Sequence, residues 1–98
     1  MSSSFLADLA VQKILRYVDE HLFEADHKWP IDILEQRSYE RWAAFEIIER
    51  VFNNPFEDPY ILIEEFRLEM LSYSHMYDGK KDMFAIAECV AKSILQLL

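Results

Sequence analysis

Glycine occurs once in this chain of 98 residues, at Gly79. Average usage is roughly 7%, so the shortfall constrains the fold directly. Primed hairpin turns rely on residues that tolerate positive φ, and phosphate-cradling loops need glycine at several fixed positions. Neither GxGxxG nor GxxxxGK[ST] can be written with a single glycine, which excludes the nucleotide-binding enzymes built on those loops. With only three prolines as well, the chain reads as helices separated by a few marked corners.

The apolar periodicity agrees with that reading. A first helix is expected over residues 4–24, with Ser4 as its N-cap and Ala7, Val11, Ile14, Val18 and Leu22 forming one inward stripe that Leu15 widens. Pro30 breaks the pattern. Asp32 and Glu35 then resemble an acidic capping box for a second helix over 31–52, with Leu34, Trp42, Phe45, Ile48 and Phe52 inward and Ser38 weakening its middle turn. The run Asn53-Asn-Pro-Phe-Glu-Asp-Pro59 is a second corner, where Asp58 as cap and Pro59 at the first helical position start a third helix over 58–77. Ile63, Phe66, Met70, Tyr73 and Tyr77 keep its inward spacing, and Tyr60-Ile-Leu-Ile63 reads as buried on all sides. Gly79 suits a left-handed helix end. Asp82 then caps a fourth helix over 81–97, with Met83, Ala87, Val90, Ile94 and Leu97 in register. The expectation is an all-α fold: one domain over residues 1–98, a compact bundle of four helices joined by short turns.

Composition supports a sizeable core. The hydrophobic fraction is 52%, with seven Phe, five Tyr and two Trp, and each aromatic can bury about 150–250 Å². Cys89 is the sole cysteine, so neither an internal disulfide nor a multi-cysteine zinc site can form. The first ten residues lack a basic region and include Asp8, unlike a signal peptide, and no segment has the uncharged apolar length of a membrane span. A cytoplasmic setting is therefore expected. The formal charge of −8 repels phosphate backbones, disfavouring both nucleic acid and anionic membranes as partners.

The residues able to do chemistry do not assemble into a site. Glu24-Ala-Asp-His27 matches Glu-x-x-His, which di-iron bundles use twice, but Val18 and Ser72 stand where His21 and His75 would need a glutamate. No metal or cofactor is expected. Cys89, on a very apolar helix, reads as a small buried hydrophobe. The three histidines lack the nucleophile and orienting carboxylate of a catalytic arrangement, so no enzymatic activity is expected.

Charge is unevenly placed. Residues 55–77 hold five acids and one arginine, a net of −4, half the total on under a quarter of the chain. Concentrated carboxylates without matching cations suggest a docking face, made by Glu57, Asp58, Glu64, Glu65 and Glu69, for a protein partner with a basic surface. Trp29, Phe56 and Tyr60 flank the proline corners and are expected to plug the ends of the core; Tyr39 and Tyr77 fall near helix edges. The leading functional expectation is a non-catalytic interaction domain using the third helix. The alternatives are a homo-oligomeric module burying its fourth helix against its own copy, and an acidic nucleic-acid mimic or nuclease inhibitor. Against the mimic stands the zero net charge of residues 78–98.

Overall fold

The computed structural model describes residues 3–23, 30–73 and 83–98. Helix α1 spans Ser3–Tyr17 and runs directly into a π-helical turn, Val18–Leu22; α2 spans Ile31–Asn53, α3 Pro59–Ser72 and α4 Met83–Leu97. No strand occurs among the described residues, and the architecture is an all-α four-helix bundle. Sequence candidates in 24–29 and 74–82, namely Glu24, His27, Trp29, His75, Tyr77, Gly79 and Asp82, lie outside the described residues, as does the side chain of Ser4. No helix among the described residues is long and apolar enough to cross a membrane.

Each helix contributes a narrow apolar strip to one core. Ala7, Ala10, Ile14, Val18 and Leu22 come from the first helical segment, Ala43, Ala44, Ile47 and Val51 from α2, Leu62, Ile63 and Phe66 from α3, and Ala87, Val90, Ala91 and Ile94 from α4. Six of these are alanines, so backbones approach closely and the larger Ile, Val and Phe side chains interdigitate between them. Among the described residues no polar side chain is buried. α4 packs chiefly against α2 and α3, and Phe84, Ala87, Val90, Ala91 and Ile94 are buried along it.

The close alanine contacts reset the register expected for α2. Phe45 and Phe52, expected inward, lie on the outside, Trp42 sits at the edge with 39% exposed, and Leu34 and Ile48 are half-buried. The face that closes on the bundle is Ala43, Ala44, Ile47 and Val51, because a helix presenting Trp and Phe there would stand too far off for its neighbours to meet. The same shift appears elsewhere. Leu15, Tyr73 and Leu97 are exposed, and in Tyr60-Ile-Leu-Ile63 only Leu62 and Ile63 are buried. Cys89 is exposed rather than buried, since at 100° per residue it sits about 160° around α4 from Ala87. Phe56 and Tyr60 are also exposed and do not plug the core.

The first helix does not stay α-helical to its end. Its last turn widens to i→i+5 bonding, closed by Phe23 N–H donating to Val18 O at 3.1 Å. The wide turn keeps both Val18 and Leu22 in the core. Arg37 of α2 donates from Nη1 to the carbonyl of His21 at 3.2 Å, satisfying an acceptor the turn leaves over. Helix α2 does not take Asp32 as its N-cap. Pro30 occupies the N-cap with no side-chain bond, and its carbonyl accepts from Ile33 N–H at 3.1 Å and Leu34 N–H at 3.0 Å. Ser38 does not interrupt α2, which is continuous through it.

Candidate functional site: the outer face of helix 3

Helix α3 starts where the sequence marks it. Asp58 Oδ1 accepts from Tyr60 N–H at 2.9 Å, its carbonyl accepts from Ile61 and Leu62, and Pro59 occupies the first helical position, where no donor is needed. Leu62, Ile63 and Phe66 turn into the core. Phe66 is held from α2 by Trp42, at 6.4 Å between ring centroids, and by the Arg50 guanidinium 5.1 Å over its ring.

Seating α3 in this rotation divides its five candidate carboxylates. Asp58 is the cap. Glu64 pairs with Arg67 of its own helix, and Arg67 also reaches Glu88 of α4 at 3.4 Å, where Lys92 Nζ joins at 3.4 Å. Hydrogen bonding to Glu64 is the main reason the Arg67 guanidinium is held above its usual range. Glu69 meets Arg50 of α2 at 2.8 Å, which relieves its like-charge repulsion with Glu65 one turn back. Glu57 and Glu65 are exposed and make no ion pair among the described residues.

Between those two carboxylates the surface is apolar. Taking 100° per residue, Ile61 and Leu68 point within about 20° of one another, about 140–160° around from Phe66, and Glu65 lies about 40–60° to one side. Ile61 is 51% and Leu68 53% exposed, Leu71 extends the strip, and Phe56 in the preceding corner is 80% exposed. α3 is therefore apolar on both sides: one faces the core, the other carries Ile61, Leu68 and Leu71. The charge of this helix is legible in its sequence, but its outer apolar strip is not, because the run Tyr60-Ile-Leu-Ile63 reads as buried on all sides.

A second cluster, invisible to pattern reading, surrounds Tyr17 at the start of the π turn. The His21 ring stacks on Tyr17 at 4.9 Å, and its Nδ1 lies 3.2 Å from Tyr17 O. Burial pushes the Tyr17 phenol up; a hydrogen bond with Ser93 opposes this, and Glu40 and Cys89 add to it. Ser93 Oγ donates to Cys89 O at 2.9 Å, so its proton is engaged within α4. The cluster is a tertiary contact between α1, α2 and α4. Among the described residues no group of three or more His, Cys, Asp or Glu is placed to hold a metal ion.

No family model matches this chain, and neither curated proteins nor solved structures gave a match.

Proposed function

We propose that this protein is a non-catalytic interaction domain that docks a protein partner on the outer face of α3. The observation that carries the reading is the pairing of Ile61 and Leu68, both half-exposed on one line of the helix, with Glu65 beside them and Glu57 at the corner before them. An apolar strip supplies the driving force for association, and flanking carboxylates that make no ion pair among the described residues supply orientation and selectivity. The partner is a protein whose contact surface is apolar at its centre and lysine- or arginine-rich at its rim. Glu64 and Glu69 act at one remove, through the ion pairs that fix the helix. A nucleic-acid mimic is the weaker reading, since Arg50 and Arg67 break up the run of negative charge that such mimicry requires.

Affinity capture from the native cell, followed by cross-linking mass spectrometry, tests this. Glu57→Lys with Glu65→Lys, and separately Leu68→Asp, should each lose the same protein, cross-linked to α3 through a basic surface. Raised salt should weaken capture of that protein by the unsubstituted chain. Identical captures by all three forms would overturn the reading.

A further inference from the structure

Helices α1 and α3 scarcely touch, and between them lies a cavity of about 220 Å³. Its walls are mostly apolar: Leu6 and Leu9 of α1, Tyr60 in the first turn of α3, and Leu98 beyond the end of α4. Leu6, Leu9 and Tyr60 remain exposed around it, so the fold does not fill the space itself. Two charged side chains also line it. Lys13 Nζ donates to Leu97 O at 3.2 Å. Asp58 uses Oδ1 to cap α3, and neither Asp58 nor its exposed neighbour Glu57 makes an ion pair among the described residues. Setting Lys13 against these two acids leaves one negative charge at this edge.

On the reading of α3 as a docking face, on which this rests, we propose that the cavity seats one aromatic side chain of the partner. A lysine or arginine next to that side chain meets Glu57 and Asp58. A void of roughly 150 Å³ suffices for benzene, so a phenyl or indole ring fits this one. Interfaces concentrate their binding energy in such anchors, with Trp and Tyr foremost, each held in a pocket that excludes water. The Tyr60 ring gives the anchor an aromatic neighbour. Tyr60 also joins the cavity to the docking face, since it precedes Ile61 and stands about 100° from it around α3. A partner lying along Ile61 and Leu68 therefore reaches the cavity with a neighbouring side chain. The basic residue is selected by the leftover negative charge. A free apolar molecule would satisfy the walls and leave the acidic edge unused.

Leucine-methyl NMR titrations of the full chain with N-acetyl-Trp-Lys-amide, N-acetyl-Trp-Glu-amide and indole test this. The Trp-Lys probe should shift the Leu6, Leu9 and Leu98 methyls saturably, with a Kd of about 1 mM or tighter. The Trp-Glu probe and indole should each bind at least about fivefold more weakly. Leu9→Trp places a ring in the cavity from an exposed position and should abolish the shifts of Leu6 and Leu98, with helical circular dichroism unchanged. Should that variant not fold, Tyr60→Ala removes a wall from the surface and should weaken the Trp-Lys probe at least about fivefold. Leu68→Asp should leave the titration as it is. No saturable shift at these methyls overturns the proposal, as does equal binding of the Trp-Lys and Trp-Glu probes. Indole binding as tightly as Trp-Lys also overturns it, in favour of a small-molecule site. If the titrations fail while Leu68→Asp still loses the captured protein, the docking face stands and the anchor alone is refuted.

Discussion

Arg50 Nη2 and Glu69 Oε2 meet at 2.8 Å across the α2–α3 interface, and the same guanidinium lies 5.1 Å over the Phe66 ring. One arginine thus sets the rotation of α3 from two directions, by charge at the rim and by its face on a buried ring. That rotation keeps Leu62, Ile63 and Phe66 inside and turns Ile61 and Leu68 outward.

The ion pair itself should contribute little to stability, since both side chains are about one-third exposed. A double-mutant cycle of Arg50→Met and Glu69→Gln should give a coupling of at most about 1 kcal/mol. A larger coupling would mean that the pair sets more of the interface than its exposure suggests.

The cap at the start of α3 is a stronger local determinant. Asp58→Ala removes the acceptor for Tyr60 N–H and should cost about 1 kcal/mol in urea unfolding, whereas Asp58→Asn should cost less. Equal losses would mean that the cap matters through charge instead of hydrogen bonding.

The register of α2 can be tested by contrast. Ile47 is fully buried and Phe52 is 67% exposed on the same helix. Ile47→Ala should therefore lower stability by about 2–5 kcal/mol, while Phe52→Ala should change the stability of the monomer by no more than about 0.5 kcal/mol. The reverse order would restore the aromatic-inward register.

Stability at high pH should follow Tyr17. Burial raises its pKa above the ordinary value of 10.0, so the folded state holds the phenol proton more tightly than the unfolded chain does. The associated stability is present in full below that value and is lost as pH rises from it through the folded-state pKa. Urea melts at successive pH values should show the decline beginning near the ordinary tyrosine value of 10.0 and continuing above it, and Tyr17→Phe should make it shallower. A slope unchanged by Tyr17→Phe would assign the decline to other groups.

The four helices were legible because their determinants are local. One glycine, the corners at Pro30 and Pro59, and 3–4 apolar spacing act within a few residues of where they stand. Asp58 with Pro59 marked α3 correctly for the same reason. The side of each helix that would be covered was less legible. In α2 several apolar lines compete, and periodicity favoured the one carrying the largest side chains. The bundle instead closes on Ala43, Ala44, Ile47 and Val51, since packing depends on how nearly two backbones can approach as well as on how apolar a face is.

By itself, the sequence determined that the chain is all-helical, where its helices break, and that half its net negative charge falls on residues 55–77. Only the tertiary structure decided which of those charges Arg50 and Arg67 would engage, that the first helix would end in a π turn braced by Arg37, and that α2 would leave its aromatics outside. Local propensity acts through neighbours along the chain, whereas pairing and exposure depend on the distance between helices, and here alanine contacts distributed through the core determine that distance.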